Sequence, residues 1–214
     1  MNTKESIIKA YDMAADDYAA IWWNEFENKH FDQIILKWFS SQIPKDETVL
    51  EIGSGPGEVS GFLSNLGVKC IGSDISTKMI ESARKYFPGI PFEVQDFFDL
   101  TYADKYFSGV IAYYAIVNLT IDQIKLTFQE VKRVLKDDGL FLFTFHVYEN
   151  EKQQDIHDFF GKKDNQLTFY FFKVEDMKGI VEKLGFEIVD ILMRYPYKDI
   201  DYPSKKAYFI LRKK

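Results

Sequence analysis

The chain of 214 residues has little of the chemistry that supports disulfide frameworks, cysteine-bound metals or membrane spans. Its single cysteine, Cys70, cannot form an internal disulfide, and its place in an apolar segment predicts an unreactive core thiol. No apolar stretch is long enough to cross a bilayer, and no signal-peptide pattern opens the sequence. We therefore expect a cytoplasmic protein without a membrane partner.

Basic residues are in the minority, with 27 Lys and Arg against 33 Asp and Glu and a formal net charge of −6. Nucleic-acid-binding surfaces usually present a basic face, so this balance argues against a nucleic-acid partner. No carboxylate cluster in the sequence argues for a catalytic metal, so no metal ligands are predicted. A chain of this length is expected to form one α/β domain.

The most informative segment is residues 49–58, VLEIGSGPGE, where a short apolar strand leads into three glycines at alternate positions. Glycine tolerates positive φ and exposes bare backbone, so Gly53, Gly55 and Gly57 predict a tight loop that a ligand can approach closely. The helix expected after the loop begins with unpaired N–H groups, which favours a polar or anionic ligand. The glycine spacing fits neither the dinucleotide fingerprint nor the P-loop, and a turn without a ligand stays an alternative.

Three acidic residues follow or interrupt successive predicted strands. Glu51 lies within the first strand, where a buried carboxylate is costly unless it has a partner. Asp74 ends the second strand, where acids of nucleotide-binding units accept ribose hydroxyls. Asp96 ends the third strand beside Phe97, an arrangement that suits the exocyclic amine and the face of an adenine. We expect the three carboxylates to meet around one ligand at the carboxyl edge of the sheet.

Alternating strands and helices predict right-handed crossovers and a parallel sheet. The last two strands, residues 185–193 and about 206–212, are separated by a loop too short for a helical crossover, so they should pair antiparallel. The expected fold is α/β, with a Rossmann-like seven-stranded mostly parallel sheet, an antiparallel last strand and helices on both faces. A helix over about 26–41 should turn one apolar face to the core, with Phe31, Ile34, Ile35, Trp38 and Phe39.

On these segments the chain resembles the class I S-adenosylmethionine-dependent methyltransferases. The matching segments are residues 51–57 (EIGSGPG), 74–76 (DIS) with Met79, 96–97 (DF) and 133–139 (RVLKDDG). The resemblance implies S-adenosyl-L-methionine as cofactor and methyl transfer to a small-molecule acceptor by in-line displacement. It also implies a single domain, residues 1–214, acting as a monomer or homodimer. Within that domain we expect a helical cover over 1–44, a cofactor-binding core over 48–147, a lid over 148–172, and a C-terminal helix and β-hairpin over 173–214.

The resemblance also implies roles for individual residues. The expected cofactor-binding residues are Tyr18, Glu51, Gly53, Ser54, Gly55, Gly57, Asp74, Ile75, Met79, Asp96, Phe97, Tyr114 and Ala115. The glycines and Glu51 would lie at the methionine part, Ile75 and Met79 beside the adenine, and Tyr114 and Ala115 near the methyl group. His146, at the end of the fifth strand, is a candidate general base, and Tyr18 a candidate catalytic residue that orients the donor. Purely structural roles stay open for both residues.

Two other functions remain open at this point. A non-catalytic S-adenosylmethionine-binding module would have the same loop and acids, since no catalytic base in the sequence is convincing. An NAD-dependent oxidoreductase is less well supported, because its fingerprint requires the third glycine in another register.

Overall fold

The computed structural model describes residues 2–214, apart from the side chains of residues 22–24. Residue 1 of the predicted helical cover lies outside the described residues. The elements, in chain order, are α1 (Lys4–Asn28), α2 (His30–Gln42), β1 (Thr48–Ile52), α3 (Glu58–Asn65), β2 (Lys69–Asp74), α4 (Thr77–Tyr86), β3 (Phe92–Val94), β4 (Phe107–Ala112), α5 (Ile121–Val134), β5 (Leu135–His146), β6 (Gln153–Ile156), β7 (Leu167–Tyr170), α6 (Val174–Lys183), β8 (Phe186–Arg194) and β9 (Lys206–Lys213).

Local signals in the sequence fix the starts of several helices. Thr3 and Ser6 form a reciprocal capping box at the start of α1, and Thr120 and Gln123 form another at the start of α5. Ser76 caps α4 by accepting from the backbone N–H of Met79. These caps satisfy N–H groups that have no partner within the first turn of each helix.

Seven strands form one sheet in the order β3-β2-β1-β4-β5-β9-β8. Neighbours from β3 to β5 are parallel, whereas β9 lies antiparallel between β5 and β8. The predicted fold class and its reversed last strand are thereby confirmed. From β1 the chain adds β2 and β3 on one side and β4 and β5 on the other, so a topological switch point lies between β1 and β4. The carboxyl ends of β1, β2 and β4 border a crevice at this point.

The sheet is covered on both faces, and its central strands are apolar on both sides. Every residue of β4 is buried, and Phe128 of α5 contacts the rings of Phe141 and Phe143. On the opposite face Ile35, Leu36 and Phe39 of α2 pack with residues of β1 and β5. Among the described residues, no helix has the length and apolarity that a bilayer crossing needs.

The prediction for the second helix was partly wrong. Helix α1 continues to Asn28, and α2 buries Asp32 and Leu36 while Ile34 is 61% exposed. The predicted face was shifted because an acidic residue, Asp32, occupies a core position that an apolar pattern cannot reveal. This buried carboxylate is the centre of an ion-pair network with Arg194.

The segment between β5 and α6 contains structure that the sequence pattern did not predict. Strands β6 and β7 form a separate antiparallel pair, and a 3-10 turn at Phe159–Gly161 lies between them. Phe159 and Leu167 pack with Ala10 and Ala14 of α1. This two-stranded unit and α1 therefore lie together over one end of the sheet crevice.

Candidate active site

The glycine loop after β1 has the left-handed backbone that its composition predicts. Gly53 has φ +63° and Gly55 has φ +53°, and a Cβ on Gly53 would lie 2.5 Å from Cβ of Ala115. Both glycines border the crevice beyond the strand ends. Gly57, with φ +93°, instead caps α3 and faces the ring of Phe92. The loop thus presents backbone to the crevice through its first two glycines.

Asp74 connects the tip of β2 to this loop. One carboxylate oxygen accepts from the backbone N–H of Gly55 at 2.9 Å, and the other from that of Ser76 at 2.9 Å. Burial raises the pKa of the Asp74 carboxyl, although these N–H donors oppose the shift. A carboxylate has about four lone-pair positions, so two further donors can still be accepted from the crevice.

Two glutamates flank the loop, Glu51 before it in β1 and Glu58 directly after it at the start of α3. Glu51 accepts from the backbone N–H and hydroxyl of Ser60, at 2.8 and 2.5 Å, and so anchors α3 to β1. Glu58 and Ser54 border the same small recess, and among the described side chains Oε1 of Glu58 and Oγ of Ser54 are buried without a hydrogen-bond partner. Burial raises the pKa of Glu51 to about 8 and that of Glu58 to about 7. Such orphaned acceptors suit a ligand that brings hydrogen-bond donors.

The other end of the crevice is more apolar. Ile75, Met79 and Phe97 line it together with Phe98. Asp96 lies next to Phe97, accepts from the backbone N–H of Phe98 at 3.0 Å, and pairs with Lys4 of α1 at 2.5 Å. Asp96 is not among the residues that line the cavity surface.

A second, wider cavity of about 460 Å³ adjoins the crevice. Its residues come from α1, the β6–β7 unit, and the loop between β8 and β9: Tyr11, Tyr18, Glu25, Lys29, Tyr114, Val117, His146, Ile156, Phe159, Phe160, Phe169, Asp199, Ile200, Asp201, Tyr202 and Lys206. We call it the acceptor cavity. Its volume lies in the range typical of small-molecule sites.

Three tyrosines belong to both spaces and form the boundary between them. Tyr11, Tyr18 and Tyr114 line the crevice and the acceptor cavity alike. Tyr114 follows β4 with φ +54°, an unusual conformation for a side chain of its size, and its N–H donates to Thr144 at 2.7 Å. Burial raises the pKa of Tyr18 and of Tyr114, so both phenols stay protonated.

His146 is buried at the end of β5 and lines the acceptor cavity. Its ring stacks on those of Tyr114 and Phe169, and its Nδ1 lies 2.7 Å from the hydroxyl of Ser204. Burial, assisted by the nearby Lys206 ammonium, lowers its pKa to about 3. The ring is therefore neutral at physiological pH and a weak base. His30 and His157 are exposed.

Behind the acceptor cavity lies a buried ion-pair network that connects both termini. Asp32 accepts from the hydroxyls of Tyr113 and Tyr208 and pairs with Arg194 at 3.0 Å. Asp201 pairs with Arg194 and, at 3.1 Å, with Lys29. Burial alone would raise the pKa of Asp201, but Arg194 and Lys29 lower it to about 2.

Known proteins share this fold and these segments. A family model described as a methyltransferase domain matches residues 49–139. An uncharacterized protein of Methanocaldococcus jannaschii is 30% identical over 96% of this chain and 77% of its own length. A putative methyltransferase of Bacillus subtilis is 25% identical over 81% of this chain and 73% of its own. The chain belongs to the class I S-adenosylmethionine-dependent methyltransferases.

A solved structure supports the fold of this methyltransferase. The S-adenosylmethionine-dependent methyltransferase of Methanosarcina mazei superposes with a TM-score of 0.73 and 17% identity, over 81% of this chain and 95% of the other. S-adenosyl-L-methionine is accordingly the cofactor of the methyltransferase. Among the described residues, no group of three or more His, Cys, Asp or Glu is placed to hold a metal ion.

The crevice of the methyltransferase fits this cofactor. Backbone exposed at Gly53 and Gly55 permits close approach, and the orphaned oxygens of Ser54 and Glu58 lack donors that an ammonium group would supply. Most residues predicted from the sequence border the crevice or the adjoining recess: Tyr18, Glu51, Gly53, Ser54, Gly55, Asp74, Ile75, Met79, Phe97, Tyr114 and Ala115. Gly57 and Asp96 lie beside it without lining it.

Sequence reasoning missed several residues of these two spaces. Glu58 directly follows the glycine loop, and an acid at that position could have suggested a ligand for an ammonium group. The residues of the acceptor side had weaker signals in the sequence. Lys29 and Lys206 lie far apart in the chain, and only the fold brings both to the wall of one cavity. In the aromatic run of β7, Phe169 lines the acceptor cavity and Tyr170 does not.

Proposed function

We propose that the methyltransferase transfers the methyl group of S-adenosyl-L-methionine to a small molecule held in the acceptor cavity. The observation that carries this proposal is the shared boundary of three tyrosines between the crevice and a cavity of about 460 Å³. The cofactor supplies an activated methyl group, whose transfer to a nucleophile leaves S-adenosylhomocysteine. The protein's part is to align the acceptor and exclude water, and alignment can contribute roughly 7–11 kcal/mol.

Within this proposal, different crevice residues bind different parts of the cofactor. Asp74 accepts from the ribose hydroxyls with the lone pairs that Gly55 and Ser76 leave free. Glu58 and Ser54 accept from the ammonium of the methionine part, while Glu51 holds the loop in place through Ser60. In this assignment Glu51, expected at the methionine part, braces the loop, and Glu58 binds the ammonium.

At the adenine end we propose that Ile75, Met79 and Phe97 contact the base. Asp96 would accept from its exocyclic amine after Lys4, which is half-exposed, turns aside. Tyr114 and Ala115 lie at the β4 end of the crevice, beside Gly53, where we place the sulfonium and its methyl group. Tyr18, between the two spaces, orients the donor toward the acceptor.

The organisation of the chain supports separate sites for the cofactor and the acceptor. Helix α1 and the β6–β7 unit, within the segments expected as cover and lid, supply the outer wall of the acceptor cavity. We propose that these segments determine which acceptor enters, whereas residues 48–147 hold the cofactor. The cavity volume of about 460 Å³ and the negative net charge support an acceptor of small-molecule size.

The decisive experiment replaces Asp74 and measures S-adenosylmethionine binding by calorimetry. Asp74→Ala removes an acceptor of charge-assisted hydrogen bonds and the anchor of Gly55, so affinity should fall at least about 100-fold. Asp74→Asn keeps the shape and should weaken binding less. Asp99→Ala, at an exposed position after β3, is the matched control and should bind like wild type. Unchanged affinity in Asp74→Ala would remove this residue from the cofactor site.

Turnover is tested separately with methyl-labelled S-adenosylmethionine. Label should pass from the cofactor to components of a small-metabolite extract, and Asp74→Ala should prevent it. A protein that binds the cofactor but labels no component would instead support the non-catalytic binding module.

A further inference from the structure

The polar wall of the acceptor cavity is a three-residue relay of His146, Ser204 and Lys206. Nδ1 of His146 lies 2.7 Å from Oγ of Ser204, and that oxygen lies 3.3 Å from Nζ of Lys206. Nε2 of His146 has no hydrogen-bond partner among the described residues, and the imidazole borders the acceptor cavity. One nitrogen of the ring is therefore held by the protein while the other is left for a ligand.

The relay determines which nitrogen carries the proton. As an ammonium, Lys206 can only donate, so at neutral pH it does not accept the hydroxyl proton of Ser204. Among the described residues the remaining partner of that hydroxyl is Nδ1 of His146, which must then accept. In a neutral imidazole the other nitrogen bears the hydrogen. Nε2–H of His146 is consequently a hydrogen-bond donor at the cavity wall.

Burial lowers the pKa of the Lys206 ammonium to about 8, so at neutral pH the residue adds a positive charge, and that charge has no direct counter-ion among the described residues. The residue is 1% exposed, and its ammonium donates to the carbonyl oxygens of Tyr202 and Ser204. No carboxylate among the described residues lies within ion-pair distance of it, since Asp201 and Glu25 pair with Lys29 and Arg194. A buried cation without a paired anion is costly, and an anionic ligand nearby would offset that cost.

Resting on the proposed function, we propose that the acceptor is a flat, largely apolar anion whose charged oxygen accepts from Nε2–H of His146. Lys206, behind Ser204, supplies the counter-charge and polarises the relay toward the ligand. Phe159, Phe160 and Phe169 provide the apolar walls for the rest of the molecule. His146 is thus a specificity-determining donor in place of the general base that its position in the sequence suggests.

The first experiment tests the relay without any ligand. Nitrogen-15 NMR of histidine-labelled protein should show His146 as the neutral Nε2–H tautomer, unchanged from pH 5 to pH 7, the range in which Lys206 is mainly an ammonium. Ionisation is opposed by burial and by Lys206 and Lys29, although Asp201 favours it. Ser204→Ala should release Nδ1 and change the tautomer signal, whereas Ser204→Thr, which keeps the hydroxyl, should preserve it. A protonated Nδ1 in wild type, or titration within this range, would overturn the proposal.

The second experiment tests the charge of the ligand with 2-naphthoate and 2-naphthylmethylamine as probes. In the presence of S-adenosylhomocysteine, naphthoate should bind at least about tenfold more tightly than the amine. His146→Leu should abolish this preference, and His146→Gln, which keeps an N–H donor, should restore part of it. Equal affinities, tighter amine binding, or no binding of either probe would contradict the inference. Binding of S-adenosylhomocysteine itself is measured in parallel. If the wild-type protein does not bind it, the proposed function is wrong, and the probe affinities do not test the further inference.

Discussion

The two spaces of the active site are built in different ways. The crevice is formed by loops that directly follow β1, β2, β3 and β4, with one side of α1 against them. Its main tether joins residues only 19 apart, Gly55 and Asp74. The acceptor cavity depends on side chains brought together from both ends of the chain, such as Asp32 and Tyr208, which are 176 positions apart. The crevice can therefore stay constant within a family while the cavity changes with its walls.

The largest expected effect comes from breaking the ion-pair network behind the acceptor cavity. Asp32→Ala leaves Arg194, Tyr113 and Tyr208 buried without their common partner, which should lower the free energy of unfolding by about 3–5 kcal/mol. Urea denaturation measures this change. The isosteric Asp32→Asn should cost less and remain folded.

Asp122→Ala is the matched control for that variant. Asp122 is also paired, with Lys125, but its side chain is 89% exposed, so the change should stay within about 0.5 kcal/mol. Similar small losses in both variants would show that the network does not hold the two ends of the cavity wall together.

A smaller effect is expected from the buried glutamate of β1. The pKa of Glu51 is raised to about 8 in the folded protein from an ordinary value near 4.5, so the folded state retains a proton that the unfolded chain has lost. Its contribution to stability therefore decreases as pH rises from about 5 to 8. Glu51→Gln should remove this dependence and gain on the order of 2–4 kcal/mol over wild type at pH 8 relative to pH 5. Parallel pH–stability curves for the two proteins, recorded by thermal unfolding, would argue against a buried neutral carboxyl.

Substitutions at two glycines distinguish the cost of backbone strain from the loss of cofactor contact. Gly67 has φ +86° with open space around it, so Gly67→Ala should cost about 1–2 kcal/mol and leave cofactor affinity unchanged. Gly53→Ala adds the collision with Ala115 inside the crevice. It should also weaken S-adenosylmethionine binding at least about tenfold, measured by calorimetry. Equal affinities in the two variants would place the ligand away from this part of the loop.

The smallest expected effect is the release of a fraction of a proton when the cofactor binds. Burial raises the pKa of Glu58 to about 7, so part of the population is protonated at neutral pH. A cofactor ammonium beside Glu58 favours the carboxylate, and binding at pH 7 should release up to about half a proton. Calorimetry in buffers of different ionisation enthalpy detects the release, which Glu58→Gln should eliminate. Proton uptake in the wild-type protein would be the wrong sign for this assignment.

The sequence by itself determined the seven-stranded sheet, its reversed strand and the strand-end residues that border the crevice. These features depend on local signals. A glycine loop or an acid that directly follows a parallel strand lies at the carboxyl edge of the sheet, whatever the distant parts of the chain do. The boundary of α2 was misread, since a buried Asp32 disguises the core face of that helix.

Only the tertiary structure decided the acceptor side. His146 was visible as a residue at the end of β5, but its tautomer depends on Ser204 and Lys206, about sixty positions later in the chain. The same holds for Lys29, whose burial among Glu25, Asp201 and Tyr114 no local pattern indicates. Hydropathy periodicity reports which face of an element is buried, whereas the partners of a buried charge are set by how the elements meet.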